Sequence, residues 1–319
     1  MSENVPAGRF PKPAHPRARR EPLPWSRPKP GEEDPDAPAR LKAILESPSY
    51  RQADEDVDFL RRDETRGIRL EVDYLKPELM LRDQRIEQTI VVFGSTRIRE
   101  PAAARRALDE ARAALAREPA SKELARRVAR AERIVEKSRF YEIARDFGRL
   151  VGGVEGDGER SRMVVMTGGG PGIMEAVNRG AYDVGAKSIG LNITLPHEQY
   201  PNPYITPELC FRFHYFALRK LHFLMRAKAL VAFPGGYGTF DELFEILTLV
   251  QTRKTTPVPV ILVGESYWRK AVNIDFLVEE GTIDVEDRDL FWYAESADEI
   301  WNGILRWHEA NGQPLVEET

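Results

Sequence analysis

The sequence predicts a doubly wound, Rossmann-like α/β fold: a parallel sheet with helices on both faces, N-terminal helices ahead of it and a helical arm inserted into it. Three observations carry that expectation. Five short apolar runs alternate with helical patterns, and strands apolar on both sides belong to parallel sheets covered by helices. Three of those runs end in a glycine turn that leads into a helix. The 319 residues are 42% apolar and 31% charged, with 47 Lys+Arg against 51 Asp+Glu and a net charge of −4, a composition and length that can bury a large core.

The elements follow in order. Residues 1–40 hold 10 of the 23 prolines and few apolar side chains. Such a segment buries too little surface to offset its ordering entropy, so it reads as a disordered or extended tail, with Arg17, Arg19 and Arg20 solvated. Residues 41–86 read as an N-terminal helical segment, apolar-periodic at Leu41–Leu45 and Val57–Leu81 and interrupted by Ser47-Pro48-Ser49 and Gly67. The Rossmann-like domain takes 87–319. Its strands are expected at Thr89–Phe93, Met163–Met166, Ser188–Ile193, Ala229–Phe233 and Val258–Val263, and its helices near Ile173–Val184, Tyr215–Ala227, Phe240–Thr252 and Tyr267–Glu279. Residues 101–150, rich in Ala, Arg and Glu, form the inserted arm. There Leu124, Val128, Ala131 and Val135 share one helix face, and Pro119 divides two antiparallel limbs.

Composition also narrows the function classes. No stretch approaches the roughly 18 apolar residues of a membrane span, and the N-terminus lacks the apolar core of a signal peptide. One cysteine, Cys210, excludes a disulfide framework and leads us to expect a reducing cytoplasm. That residue reads as a buried small side chain. Balanced charge offers no footprint for nucleic acid, and neither nucleic acid nor membrane is an expected partner. Among the five histidines only His214 and His222 approach a metal-ligand spacing, and in an aromatic helix they read as packed or hydrogen-bonded residues.

In doubly wound sheets ligands bind outside the carboxyl ends of the strands, at helix N-termini. Three glycine-bearing loops fall there: Phe93-Gly94-Ser95-Thr96-Arg97, Thr167-Gly168-Gly169-Gly170-Pro171-Gly172-Ile173-Met174, and Phe233-Pro234-Gly235-Gly236-Tyr237-Gly238-Thr239. Free N–H groups and the positive end of a helix dipole favour an anion, most often phosphate. Neither dense loop fits G-x-G-x-x-G or G-x-x-x-x-G-K-[ST], so a dinucleotide enzyme and a P-loop NTPase both lose ground.

Two charges stand in unexpected places. Glu242 lies in the first turn after the third loop, outside the apolar stripe Phe240, Leu243, Phe244, Leu247 and Val250, and can face the strand-end crevice. Arg219 sits in the mostly apolar stretch Phe213–Met225 and must find an anion or a carboxylate to offset its desolvation. Alternatively, Glu242 is a simple helix-terminal charge and Arg219 its structural ion-pair partner.

At these residues the chain resembles a known family. Pro234-Gly235-Gly236-Tyr237-Gly238-Thr239-Phe240-Asp241-Glu242 matches P-G-G-x-G-T-x-x-E, the hallmark of the Lonely Guy (LOG) family. Arg219-Lys220 is similar to its R-K pair, and Gly168–Met174 to its G-G-G-x-x-G-x-M. The likeness runs from about Thr89 to about Asp284 and leaves out residues 1–86 and the arm. Ala217 and Phe223 replace the His and Met of the plant form, which with the N-terminal extension looks more like the larger bacterial branch.

The resemblance implies a nucleoside 5′-monophosphate phosphoribohydrolase, despite the family's frequent label of lysine decarboxylase. The implied substrate is AMP or a cytokinin riboside monophosphate, split to free base and ribose 5-phosphate without cofactor or metal, by a homodimer or higher homo-oligomer. Glu242 would stabilise the oxocarbenium ion and Arg219 would act near the base. Gly235, Gly236, Gly238 and Thr239 would hold the phosphate, and Ser95, Gly168, Gly169, Gly170, Gly172, Met174 and Lys220 would complete the substrate site. The alternative is a non-catalytic carrier of a nucleotide or of the molybdenum cofactor. A literal lysine decarboxylase ranks third, since no lysine has a recognisable pyridoxal-phosphate context.

Overall fold

A computed structural model describes residues 26–154, 163–195 and 200–315. The expected tail thus falls outside the described residues for positions 1–25. The chain divides into two compact units, residues 1–68 and 69–319. In the first, α1 (Ala37–Leu45) carries a proline in its first turn, and α2 (Val57–Leu60) is capped by Asp56, whose side chain accepts the Phe59 N–H at 3.1 Å. Helix α3 (Arg66–Asp83) passes through Gly67. The interruption expected at that glycine lies just before it, where the Thr65 hydroxyl sits within hydrogen-bond reach of the Phe59, Leu60 and Arg62 carbonyls, the shortest at 2.8 Å to Arg62.

The second unit is built on a seven-stranded parallel sheet. Its strands are β1 (Thr89–Phe93), β2 (Val164–Thr167), β3 (Ser188–Ile193), β4 (Cys210–Phe213), β5 (Ala227–Ala232), β6 (Val260–Val263) and β7 (Trp292–Ala294). They lie in the order β4-β3-β2-β1-β5-β6-β7. Three helices separate β1 from β2: α4 (Pro101–Arg117), α5 (Lys122–Lys137) and α6 (Arg139–Gly152). The later ones are α7 (Ile173–Asp183), α8 (Phe216–Met225), α9 (Tyr237–Gln251), α10 (Glu265–Ala271), α11 (Ile274–Glu279) and α12 (Ala297–Ala310).

Alternation along the strands builds two cores. Ile90, Val92, Val165, Val231 and Val263 point to one face and pack with Phe147 of α6, Val177 of α7 and Ile300 of α12. Val91, Phe93, Met166, Leu230 and Leu262 point to the other and meet Leu81 of α3, Phe223 of α8, Ile246 of α9 and Trp268 of α10. The doubly wound expectation is met, and the central strands are buried on both sides as their continuous apolar runs require.

Two strands escaped sequence reading. Edge strand β4 alternates, with Phe211 and Phe213 buried and Arg212 exposed, so it lacks a continuous apolar run. Strand β7 is three residues long. Cys210, expected to be buried, is half-buried at the start of β4. The helix expected over Tyr267–Glu279 is two, because Asn273 accepts the Phe276 N–H at 3.1 Å and caps a new helix. Helices α4 and α5 form the arm's hairpin, joined through Pro119 and bridged by Arg112 and Glu132 at 2.8 Å. No helix of the described residues is long and apolar enough to cross a membrane.

Candidate active site

The sheet order reverses between β1 and β5, and all three glycine loops converge at the carboxyl ends of β1, β2 and β5. Ser95 ties them together. Its N–H donates to the Pro234 carbonyl of the third loop at 3.0 Å, and its own carbonyl accepts the Ile173 N–H after the second loop at 3.2 Å. Its hydroxyl accepts the Arg97 N–H at 3.0 Å.

The second loop is largely committed to structure. Gly169 donates its N–H to the Thr167 hydroxyl at 3.0 Å, and that hydroxyl donates to Asn178 Oδ1 at 2.8 Å. Asn202 donates from its backbone to the Gly169 carbonyl at 2.9 Å and from Nδ2 to the Gly170 carbonyl at 3.0 Å. Gly172 has φ 76°, and a Cβ there would lie 2.3 Å from the Ser95 carbonyl oxygen, so only glycine lets the two loops meet.

Between the loops lies a cavity of about 670 Å³, within the range of small-molecule sites. Ser95, Gly168, Met174, Arg219, Gly235, Gly236, Gly238, Thr239 and Glu242 all line it. Gly169, Gly170, Gly172 and Lys220 do not. Lys220 turns to Asp241 at 2.9 Å and Glu245 at 3.1 Å. Burial works against its charge, but those two carboxylates outweigh it and hold the ammonium above its ordinary value.

The third loop opens α9 with Gly236 as N-cap. First-turn N–H groups of a helix have no intrahelical partner, and here Gly236, Tyr237 and Gly238, at that end of α9, line the cavity. Thr239 packs beneath Gly235 so closely that a Cβ on Gly235 would meet its hydroxyl at 2.0 Å. The Tyr267 hydroxyl donates to the Gly235 carbonyl and fixes that peptide.

Glu242 stands in the second turn of α9, one turn deeper than the sequence placed it, because the helix begins at Tyr237. It is 7% exposed and makes no hydrogen bond or ion pair among the described residues. Burial pushes its carboxyl up to about 7, against the pull of Arg219 and Lys220. Arg219, on α8, does not form a direct salt bridge with it. Its guanidinium lies 5.2 Å from the Phe223 ring centroid and 5.7 Å from that of Phe216, and a Cβ on Gly168 would come within 2.9 Å of Nη2. Burial presses Arg219 below its ordinary value while Glu242 and Asp241 draw it up. Its Nε is buried without a hydrogen-bond partner. A carboxylate and a guanidinium thus share one cavity, each unpaired, beside an anion-attracting helix end.

Sequence reasoning gave no site role to Arg97, Tyr267, or Ile134 and Lys137 of the arm, all on the cavity wall. Arg97 stands in a loop that was singled out; the others come from elements without a motif. The two histidines behave as expected: His222 is buried with Nε2 3.0 Å from the Tyr74 carbonyl, and His214 packs on Tyr215 with its backbone N–H donated to Asp73. Among the described residues no cluster of three or more His, Cys, Asp and Glu could hold a metal ion.

A family model described as "Possible lysine decarboxylase" matches residues 174–304. Arabidopsis thaliana "Cytokinin riboside 5'-monophosphate phosphoribohydrolase LOG3" is 31% identical over 170 residues, covering 52% of this chain and 74% of that protein. From Oryza sativa subsp. japonica, "Probable cytokinin riboside 5'-monophosphate phosphoribohydrolase LOGL3" is 31% identical over 167 residues, 49% of this chain and 75% of the relative. From the same plant, "Probable cytokinin riboside 5'-monophosphate phosphoribohydrolase LOG4" is 32% identical over 145 residues, 44% of this chain. The chain spans only 62% of that relative's length. A solved molybdenum cofactor binding protein from Rippkaea orientalis covers 52% of this chain and 85% of its own at 17% identity and a TM-score of 0.36, too distant to bear on fold or ligand. Motifs, matched length and identity agree, and the chain belongs to the Lonely Guy (LOG) family.

Proposed function

We propose that the protein hydrolyses the N-glycosidic bond of a nucleoside 5′-monophosphate, AMP or a cytokinin riboside monophosphate, releasing free base and ribose 5-phosphate. The observation that carries this reading is Glu242, a buried and unpaired carboxylate on the wall of a cavity whose rim is a helix N-terminus. Leaving such a group unpaired costs stability, and sites keep that cost where function uses it.

The chemistry follows from charge. Breaking the bond between C1′ and the base nitrogen develops positive charge on the ribose, and a carboxylate close by stabilises it. Glu242 takes that role once ionised, and also orients the ribose hydroxyls or the attacking water. The first-turn N–H groups of α9, with Thr239, bind the 5′-phosphate. Arg219 remains protonated and takes the leaving-group side, where its unpaired donors meet negative charge building on the base. Water adds to C1′, its proton passes to solvent or to the departing base, and the bond to the base breaks.

The test is release of base from a panel of purine and pyrimidine monophosphates that includes isopentenyladenosine monophosphate. Free base together with ribose 5-phosphate supports the reading. Tight nucleotide binding without turnover would favour the carrier alternative instead.

A further inference from the structure

The arm enters the cavity at one place. Ile134 and Lys137 both line it, and at a spacing of i, i+3 they share a ridge of α5. The rest of the arm's apolar stripe, Leu124, Val128, Ala131 and Val135, is half-buried away from the cavity. Lys137 is the last residue of α5, at the arm's root. Buried Ser138 follows it, donating from its hydroxyl to the Val135 carbonyl at 2.6 Å, and α6 then sends Phe140 and Tyr141 into the core. Phe140 and Pro234 both close on Gly264: a Cβ there would lie 2.6 Å from the Phe140 ring and 3.6 Å from the Pro234 side chain. The arm's root therefore sits beside the loop that opens α9.

Charge identifies what Lys137 would meet. Lys137 and Arg97 line the cavity, and neither makes an ion pair among the described residues. A phosphate monoester carries about −1.5 to −2 at neutral pH, whereas a helix N-terminus supplies only about +0.5. The cradle of α9 leaves most of that charge uncompensated. Arg97 belongs to the Ser95 loop, which is hydrogen-bonded to Pro234 at 3.0 Å. Two cations without ion pairs among the described residues thus line, from two different elements, the same cavity as the α9 loop.

We propose that Lys137, carried in by the inserted arm, is a phosphate-binding residue that makes the cavity selective for phosphorylated ligands over the corresponding nucleosides. The proposal takes its ligand class from the phosphoribohydrolase reading, but its test does not require turnover. Titrate the full-length wild type, Lys137→Gln, Lys137→Met and Lys137→Arg calorimetrically with ribose 5-phosphate, AMP and adenosine. Loss of a charge-assisted hydrogen bond weakens ribose 5-phosphate and AMP by about tenfold or more in the Gln and Met variants. Arginine restores most of the affinity, adenosine binds all four proteins alike, and added salt weakens the wild type more steeply than the Gln variant. Melting temperatures of the variants establish that they fold.

Equal affinity of wild type and Lys137→Gln for ribose 5-phosphate would overturn the proposal, as would a loss confined to adenosine or no binding of ribose 5-phosphate by the wild type. Binding that depends on Lys137 without release of base would instead remove the proposed activity and leave the phosphate site standing.

Discussion

Burial holds the Glu242 carboxyl near 7 rather than at its ordinary 4.5, with consequences for both rate and stability. Stabilising an oxocarbenium ion needs the ionised form, so kcat/KM should rise about tenfold per pH unit below 7 and level off above it. Between pH 4.5 and 7 the folded protein binds more protons than the unfolded chain, so stability falls as pH rises through that window. The full difference, about 3 kcal/mol, is absent below 4.5 and complete above 7. Glu242→Gln should lose this dependence, and denaturant unfolding at pH 5 and pH 8.5 checks it. Gly172→Ala adds a side chain at positive φ against the Ser95 carbonyl and should cost about 1–3 kcal/mol, read by denaturant unfolding. Arg219 and Glu242 stood out in the sequence pattern, which left a structural ion pair equally open, and the motifs resembling the LOG family are what pointed them toward the cavity. Tyr267 did not stand out, since a tyrosine in a helix is ordinary until the fold turns it toward the cavity.

At the level of elements, the glycine loops divide their labour in a way that spacing did not reveal. The third loop faces the cavity with Gly235, Gly236 and Gly238, while the second spends Gly169, Gly170 and Gly172 on holding loops together and presents Gly168 and Met174. Strand and helix positions in the central sheet were readable because two-sided burial leaves continuous apolar runs. Edge strands β4 and β7, half-covered and short, leave none. The Tyr267 hydroxyl of α10 holds the Gly235 peptide of the third glycine loop, proposed to bind the phosphate. Tyr267→Phe removes one hydrogen bond worth about 1 kcal/mol and should raise KM for the monophosphate about fivefold with little change in kcat, measured by steady-state kinetics.

For the whole molecule, a net charge of −4 gives no long-range attraction for the proposed anionic substrate, whose affinity would come from local N–H groups and a few cations. Family likeness implies a dimer or a larger assembly, and we propose one here. Phe216, Leu221 and Met225 of α8 are 40–50% exposed, and Val72 and Leu79 of α3 are similarly bare. Light scattering of the intact protein should give at least twice the chain mass, and a single-chain mass at micromolar concentration would remove that expectation. The central claim, hydrolysis of a nucleoside 5′-monophosphate driven by Glu242, is tested most directly by chromatographic assay of base release by the wild type and Glu242→Gln. Free base and ribose 5-phosphate should appear in equal amounts from at least one monophosphate, with kcat lowered about 100-fold or more in the variant. No base from any monophosphate, or a variant as fast as the wild type, would contradict it.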